Sequence, residues 1–415
     1  MSRVLLLQGP VGPFFRRLQD FLEAKNFDVW RVCFNGGDLL YSSRKNRIVF
    51  SGNQAEWRDL LANLLADNGV DCIILFGSDR PAHKIARDVA DHFGVRVISL
   101  EEGYIRPGYV TIEDGGNNVN SPLAGRLPPE EFVLRQNDNK KITDFKNLNV
   151  MSVHNAFYYS FRAIFGFGKQ KDLFHRRIPI LPEIFYWARN AYRGVFAQHR
   201  NFSQIQNLLK HWDRHYYLVP LQVSADSNLQ QAALGWNSVR LISSVLRSFA
   251  RAAPHDARLV FKIHPMERGH ANYTPLLRST AEVLGVGNRV DVIDTGSLGL
   301  LARHAAGMIT INSTSGLSAI FHGTPLLVIG KAIYANPHLA VCAHGNPDFD
   351  TFWSHKQVAC EAVRKAYIAW LKQAALKPGD FYVSKGIDLT CEGILAKLNS
   401  TAVLPRQSEK VRAIR

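Results

Sequence analysis

The chain has 415 residues, 46% of them hydrophobic, and a formal net charge of +15 at pH 7, so it can bury the cores of two domains and is expected to meet an anionic partner. Its five cysteines are widely spaced and odd in number, which argues against a disulfide framework and a cysteine zinc site. The first apolar run, residues 4–7, is far shorter than the ~20 residues that span a bilayer. We therefore expect a cytoplasmic protein, or one that sits on a membrane without crossing it.

Short apolar runs alternate with longer amphipathic stretches over the first hundred residues. The predicted strands are residues 4–8, 28–33, 71–76 and 95–100, and the predicted helices are residues 14–25, 55–67 and 79–92. This alternation is typical of a parallel sheet covered by helices. The glycine-rich loop after the first strand lacks the spacing of a dinucleotide or P-loop motif. We interpret it as a tight turn that either approaches a ligand at Gly9 or has only a structural role.

Two adjacent carboxylates, Glu101 and Glu102, follow the fourth predicted strand. Ligands bind at the carboxyl ends of strands in open α/β sheets, so the two carboxylates are a candidate acid/base pair. Gly103 permits a sharp turn, and Arg106 with Pro107 supplies a cation and a rigid φ that could fix the carboxylates. We favour Glu102 as the acid/base, because Glu101 adjoins the strand. The alternative is a solvated acidic turn.

Residues 157–200 form a basic segment with eight Lys or Arg and two acidic residues, interleaved with aromatics. Such a segment can lie on an anionic membrane surface. The candidate membrane or acceptor contacts are Arg106, Arg176, Arg177, Arg189 and Arg193. The alternative is that the aromatics belong to the core and the cations form their solvated face. A nucleic-acid partner is disfavoured, because the sequence has no fingerprint of a known nucleic-acid module.

A second alternating block begins near residue 216. Its predicted strands are residues 216–221, 259–263, 289–293, 308–311 and 326–329, and its predicted helices are residues 228–252, 276–284, 298–303 and 316–321, followed by helical stretches at 356–373 and 392–399. Two such blocks predict an α/β protein with two Rossmann-like domains facing a central cleft. We place the domains at residues 1–200 and 201–385, followed by a C-terminal helix and basic tail at 386–415.

A histidine followed by proline ends one strand of the second block. Pro265 stops the strand, so the imidazole of His264 is directed past the edge of the sheet. Such a histidine can donate a hydrogen bond to a phosphate oxygen and help a phosphate leaving group depart. A purely structural histidine at the end of a strand is the alternative.

A hydroxyl-rich turn leads from the strand at 308–311 into the next helix. The turn consists of Asn312, Ser313, Thr314, Ser315 and Gly316. Hydroxyls and backbone amides at such a position can bind a phosphate. Ordinary helix capping would need only one of these residues, so the run of four polar residues favours a phosphate site.

Taken in chain order, these motifs resemble those of the capsule polysaccharide β-Kdo transferases, in particular the single-module KpsS/LipB type of Gram-negative bacteria. The resemblance is carried by Gln8-Gly9-Pro10, residues 12–15, Glu101 to Tyr104 with Arg106-Pro107, Thr111, Glu113, Asn117, Asn120, Pro220-Leu221-Gln222, His264-Pro265 and Ser313 to Gly316. Bacterial polysialyltransferases have a similar pairing of an acidic-Gly and a His-Pro motif. The resemblance therefore implies a CMP-activated ulosonic acid as donor.

The resemblance also implies a GT-B-like architecture, with CMP-Kdo held mainly by the C-terminal domain and the acceptor by the N-terminal one. His264 and the turn at Ser313 to Ser315 would hold the CMP phosphate, and Glu102 or Glu101 would face the reacting carbon or the acceptor hydroxyl. The implied reaction places β-Kdo on lyso-phosphatidylglycerol at the cytoplasmic face of the membrane. Other capsule assembly proteins are possible partners, and no metal or other cofactor is expected.

Retention of configuration through a double displacement would require a nucleophilic carboxylate besides the acid/base. Asp226 and Glu113 are further candidates, and the division of roles stays open. Two alternative functions also stay open. A sugar-nucleotide epimerase would have no use for the basic aromatic segment, and a non-catalytic capsule export or assembly protein would have little use for paired carboxylates.

Overall fold

A computed structural model describes residues 2–133, 143–145, 148–165, 168–174, 180–223, 229, 231–355 and 357–400. The chain forms two compact units. The first contains Met1–Pro122, Arg135–Ile180 and Leu371–Arg415, and the second contains Leu123–Leu134 and Leu181–Trp370.

Both units contain a β-sheet. The strands are β1 Arg3–Leu6, β2 Asp28–Cys33, β3 Arg47–Val49, β4 Val70–Phe76, β5 Arg96–Glu102, β6 Tyr109–Asp114, β7 Tyr216–Pro220, β8 Arg258–Lys262, β9 Val290–Ile293, β10 Gly307–Thr310, β11 Leu326–Val328, β12 Val341–Cys342 and β13 Leu376–Pro378.

Helices lie between most of these strands. They are α1 Phe14–Glu23, α2 Gly36–Leu40, α3 Gln54–Asp67, α4 Pro81–His92, α5 Leu148–Ile164, α6 Ile180–His211, α7 Ser238–Ala252, α8 Thr274–Val283, α9 Leu298–His304, α10 Gly316–His322, α11 Phe349–Ser354, α12 Glu361–Ala375 and α13 Ser384–Leu398.

The sheet of the first unit has the order β13-β6-β5-β4-β1-β2-β3. Strands β1 to β5 are parallel, whereas β6 runs antiparallel to both of its neighbours, β5 and β13. Successive residues of β1 face opposite sides. Val4 and Leu6 belong to the core cluster that contains residues of α1 and α13, and Leu5 belongs to the one formed with α3 and α4. Burial on both sides explains the continuous apolar runs of the sequence.

The sheet of the second unit is parallel throughout, with the order β12-β11-β10-β7-β8-β9. This is the order of a doubly wound sheet, in which the chain reverses direction across the sheet at β7 and β10. The first unit has the corresponding reversal at β1 and β4. The predicted α/β class with two Rossmann-like domains is therefore confirmed, and the central cleft between them stays a prediction.

The units divide the chain differently from the predicted domains. The predicted boundary at residue 200 falls inside the continuous helix α6, which packs on the second unit through the buried residues Asn201 and Leu208. Near the C-terminus the chain returns to the first unit. There β13 pairs with β6, and the ammonium of Lys397 in α13 contacts the carboxylate of Asp114 at 2.6 Å. Long-range pairing of this kind leaves little local signal in the sequence.

Candidate functional site

The first unit carries a cation at the point where its sheet reverses. Arg80 donates from Nη1 to the carbonyl of Gly9 at 3.0 Å, and its guanidinium lies 5.2 Å from the ring centroid of Phe76. Gly9 is required for packing, because a Cβ there would lie 2.8 Å from the ring of Phe15. The structure thus explains Gly9 by its contact with Phe15, and it places a guanidinium beside this loop.

A buried carboxylate lies next to the same loop. Asp38 accepts hydrogen bonds from the backbone N–H of Phe34 at 3.0 Å and from the hydroxyl of Tyr158 at 2.9 Å. The amide of Gln8 donates to the same hydroxyl at 3.1 Å. Burial raises the pKa of Asp38, although the charge of Arg31 opposes this effect. Asp38 and Tyr158 are 120 residues apart, so no local pattern predicts that they meet.

Glu101 and Glu102 lie within β5 rather than after it, so their side chains point to opposite faces of the sheet. Glu101 accepts a hydrogen bond from Nδ2 of Asn118 at 3.0 Å. Glu102 instead accepts from the hydroxyl of Tyr382, which belongs to the core cluster on the other face. The predicted strand end at Leu100 is therefore wrong, and the catalytic roles of Glu101 and Glu102 stay predictions. Strand β5 extends through both because β6 pairs with it as far as Glu102.

Arg106, predicted to orient these carboxylates, is exposed, and its Nε donates to the carbonyl of Gly103 at 3.2 Å. Burial raises the pKa of Tyr382 well above its ordinary value, and the charge of Arg106 opposes this shift.

Glu113, on β6 beside β5, is a third carboxylate of this part of the sheet, and it is buried and hydrogen-bonded. Its oxygens accept from the hydroxyls of Ser121 and Tyr104 and, at 3.3 Å, from Nδ2 of Asn117. Burial raises the pKa of Glu113 to about 7, although the bonds from Ser121, Tyr104 and Asn117 lower it. Glu113 can therefore hold a proton close to neutral pH.

In the second unit, two side chains bridge the strands at the point of reversal. Gln222, just after β7, donates from Nε2 to Oδ1 of Asn312 at 3.0 Å, and the backbone N–H of Asn312 donates to Oε1 of Gln222 at 3.2 Å. This reciprocal pair fixes the start of the hydroxyl-rich turn. Doubly wound sheets bind their ligands at this position.

The hydroxyl-rich turn is held partly by its own side chains. Oγ of Ser313 accepts from the backbone N–H of Ser315 at 3.2 Å, and the N–H of Ser313 donates to the hydroxyl of Thr310 at 3.3 Å. Oγ of Ser315 is buried and has no hydrogen-bond partner within the described part of the chain. Ser315 is thus the hydroxyl of the turn best suited to meet a ligand, while Thr314 is half-buried.

Gly316 is required for packing. A Cβ there would lie 2.2 Å from the hydroxyl of Tyr334, which donates to the carbonyl of Ser313. The helix that follows has seven residues, and Ser315 makes no side-chain capping bond to it. The predicted anion site therefore depends on hydroxyls and turn amides more than on the dipole of a long helix.

His264 is exposed at the end of β8, and Pro265 begins a short 3-10 turn there. Nδ1 of His264 accepts from the backbone N–H of Met266 at 3.2 Å. A neutral imidazole that accepts at Nδ1 carries its proton on Nε2 and can donate from that atom. The prediction that the imidazole lies beyond the strand end agrees with this position.

The predicted cationic contacts have other neighbours. Arg189 donates to the carbonyl of Gly269 at 2.8 Å, and Arg193 donates to the carbonyl of Arg268 at 2.7 Å. Both hold α6 on its own unit, so they are not simply solvated cations. Arg176, Arg177 and Asp226, the remaining predicted site residues, lie outside the described residues.

The described residues also bear on membrane spanning and on metal binding. None of the helices there is long and apolar enough to cross a bilayer. Across the same residues, no three His, Cys, Asp or Glu side chains are grouped so that they could hold a metal ion.

Comparison with known proteins identifies the family. Residues 71–382 match the family described as "Capsule polysaccharide biosynthesis protein". The chain is 34% identical over 338 residues to "Capsule polysaccharide export protein KpsS" of Escherichia coli, which covers 80% of this chain and 86% of that protein. It is 32% identical over 403 residues to "Capsule polysaccharide modification protein LipB" of Neisseria meningitidis serogroup A, with 92% of each covered.

Among solved structures, the chain is similar to the KpsC beta Kdo 2,7 transferase of Thermosulfurimonas dismutans. The sequence identity is 14% and the TM-score is 0.43, with 96% of this chain and 100% of that chain covered. The sequence matches alone confirm the family predicted from the motifs: the chain belongs to the capsule polysaccharide biosynthesis protein family.

Proposed function

We propose that the protein is a glycosyltransferase that moves Kdo from CMP-Kdo to lyso-phosphatidylglycerol and so starts the β-Kdo linker of a Gram-negative capsular polysaccharide. The observation that carries the proposal is the turn from Asn312 to Ser315, fixed by Gln222 where the second sheet reverses. This is the position at which doubly wound folds bind nucleotides. Membership of a capsule biosynthesis family supplies the biological context.

The donor would bind to the second unit through its phosphate. Ser315 offers a buried hydroxyl without a partner among the described residues, and Ser313 and Asn312 shape the turn around it. His264 would donate from Nε2 to the phosphate, with Pro265 fixing the direction of the chain. Such hydrogen bonds stabilise the negative charge that develops on the departing CMP.

The first unit would supply the carboxylate chemistry. Glu102 is the favoured acid/base, because it is half-buried and hydrogen-bonded to Tyr382. Glu101 and Glu113 are more extensively tied to neighbouring side chains, which favours a role in holding the edge of the sheet. Transfer with retention requires one further nucleophilic carboxylate, for which Asp226 stays a candidate.

The decisive assay combines the purified protein with CMP-Kdo and lyso-phosphatidylglycerol. We expect CMP release that depends on the lipid, and a Kdo-lipid product with the β configuration by NMR. A sugar-nucleotide epimerase would instead isomerise a UDP-sugar without lipid. An export or assembly protein would bind polysaccharide and release no CMP, so the absence of CMP release from folded protein would contradict the proposal.

The lipid acceptor further implies attachment to the anionic inner face of the cytoplasmic membrane. Helix α6 supports this through three exposed aromatic side chains, Phe185 at 61%, Tyr192 at 68% and Phe196 at 57%. Their spacings of seven and four residues place them along one stripe of the helix. Asn201 and Leu208, on the other side, are buried against the second unit. The stripe can therefore insert into lipid without unpacking the helix.

Vesicle flotation tests this attachment. We expect binding to phosphatidylglycerol vesicles that weakens with salt, because surface charges are screened over about 8 Å at physiological ionic strength. A triple variant with Phe185, Tyr192 and Phe196 changed to Ser should lose the salt-resistant fraction. Val283→Ser, which alters an exposed apolar residue of α8, is the matched control. Unchanged flotation of the triple variant would remove α6 from membrane binding.

A further inference from the structure

Lys262, the last residue of β8, is a buried cation. Its side chain is only 6% exposed. Strand alternation places Leu259 and Phe261 in the main core of the second unit and Lys262 on the other face. Lysine is seldom buried to this degree without a partner, so its environment calls for an explanation.

Asp294, the acidic residue whose charge acts on Lys262, already binds other side chains. Arg268 contacts Oδ2 of Asp294 at 3.4 Å through Nε, and the amide of Asn201 donates to Oδ1 of the same carboxylate. None of the residues that the structure describes gives Lys262 a side-chain hydrogen bond or ion pair. The carboxylate of Asp294 favours the charge of Lys262 but makes its ion pair with Arg268. A buried cation without a hydrogen bond is costly, and an anionic ligand would remove that cost.

The position of Lys262 in the sheet indicates which anionic ligand it would bind. The residue pairs with Pro220 at the carboxyl end of β7, and its carbonyl accepts from the N–H of Leu221 at 2.9 Å. It lies next to the strand at which the sheet reverses and two residues before His264. Both basic residues thus occupy the carboxyl end of β8, where doubly wound sheets bind their ligands.

We propose that the ammonium of Lys262 binds an oxyanion of the sugar-nucleotide donor, either its phosphate or the carboxylate of its sugar. This inference rests on the proposed function, because it assigns a further residue to the same donor site. It differs from the roles of His264 and Ser315, since the group involved is an ammonium that can pair its charge with the oxyanion.

The buried environment of Lys262 should make donor binding depend on pH. Burial and the charge of Arg268 lower the pKa of Lys262 to about 8, although Asp294 acts in the opposite direction. The ammonium is therefore present below pH 8 and is lost as the pH rises past it. A bound oxyanion favours the charged form, so binding near pH 8 should take up a proton, and affinity should fall at higher pH.

Calorimetry with CMP at pH 7 and pH 9 tests the phosphate. In Lys262→Met we expect CMP affinity at pH 7 to fall about 10-fold or more, the usual range for a lost charged hydrogen bond. Lys262→Arg should bind CMP with little change between pH 7 and pH 9, since arginine stays protonated. Lys377→Met removes another lysine whose pKa burial lowers, on β13 of the first unit, and should leave CMP affinity unchanged.

Further probes separate the two oxyanions. Cytidine, which lacks the phosphate, should bind wild type and Lys262→Met alike. If Lys262→Met binds CMP normally but raises the KM for CMP-Kdo about 10-fold or more, the carboxylate is the bound group. Thermal unfolding separates binding from a structural role. Replacing an unpaired buried cation by an apolar residue should leave Tm unchanged or raised, whereas a structural lysine would lower it.

The outcomes distinguish this inference from the proposed function. Unchanged CMP affinity and unchanged KM in Lys262→Met, with Kdo transfer intact, would overturn the role of Lys262 alone. If wild type binds neither CMP nor CMP-Kdo, both the donor and the role of Lys262 are wrong. A lowered Tm with normal donor binding would make Lys262 a structural residue.

Discussion

The two sheets share a strand order, but the polar side chains at their carboxyl edges differ in their hydrogen bonding. In the first unit, Glu101, Glu113 and Asp38 all accept hydrogen bonds from neighbouring side chains. In the second unit, the hydroxyl of Ser315 has no such partner within the described residues, and the buried Lys262 lies close to a carboxylate, Asp294, that Arg268 contacts. Acidic side chains that already accept hydrogen bonds can be held in a defined protonation state. Donor groups that have no partner can bind an anion. Under the proposed function, this difference suits the first unit to proton transfer and the second to donor binding.

The largest effect should come from Glu102. We expect Glu102→Gln to lower the transfer rate about 10²- to 10⁴-fold, the usual contribution of a general acid or base. Glu101→Gln should cost less, because the carboxylate of Glu101 accepts a hydrogen bond from the amide of Asn118, which favours a structural role. CMP release under saturating donor measures both variants. The assignment is reversed if Glu102→Gln stays active while Glu101→Gln does not.

His264→Ala should lower the rate roughly 100-fold, as the removal of an electrostatic stabiliser typically does. The side chain is exposed and accepts a local bond from the N–H of Met266, so the melting curve should stay close to that of wild type. His215→Ala, at another exposed histidine of the second unit, is the matched control. Near-wild-type turnover in His264→Ala would remove this residue from the mechanism and weaken the contrast between the two edges.

Substitutions of Ser315 and Ser313 test whether the hydroxyl-rich turn of the second unit binds a phosphate. Ser315→Ala should weaken CMP binding about 10-fold without loss of stability, because its hydroxyl has no partner among the described residues. Ser313→Ala should lower both affinity and Tm, since its Oγ accepts from the N–H of Ser315. Calorimetry and thermal unfolding measure the pair. Unchanged CMP affinity in both variants would exclude the turn as a phosphate site.

Glu113 gives the smallest effect, on stability against pH. Its folded pKa of about 7 lies above the ordinary value of 4.5, so the folded state binds more protons than the unfolded state between these pH values. The free energy of unfolding should therefore fall as the pH rises from 4.5 to 7. Glu113→Gln cannot titrate, so its Tm should fall less over this range. Parallel Tm profiles would show that Glu113 is already ionised in the folded protein.

Most parallel strands could be predicted, because a strand buried on both faces is an unbroken apolar run with a polar loop after it. The loops after β1, β8 and β10 follow this pattern, and they contain the motifs that identify the family. The length of β5 could not be predicted. It depends on β6, which pairs through Glu102 and Val110, and antiparallel pairing is invisible in the run at 95–100.

Contacts between distant segments explain the remaining differences. The bond between Asp38 and Tyr158 spans 120 residues, and Arg189 meets Gly269 80 residues away. Charge counting in the basic segment cannot reveal such partners, so it overestimated the cations available to a membrane. A local contact accounts for one more difference, because side-chain capping by Asn237 starts α7 at Ser238, ten residues after the predicted start.

The return of the chain to the first unit has a consequence for its synthesis. On the ribosome, residues 181–370 of the second unit emerge as one continuous segment and can complete their sheet as they appear. The first unit cannot fold completely until its segment from Leu371 onward has been synthesised. Until β13 and α13 leave the exit tunnel, β6 presents an open edge and the apolar face of α1 lacks a cover. We therefore expect the second unit to fold before the first unit during synthesis.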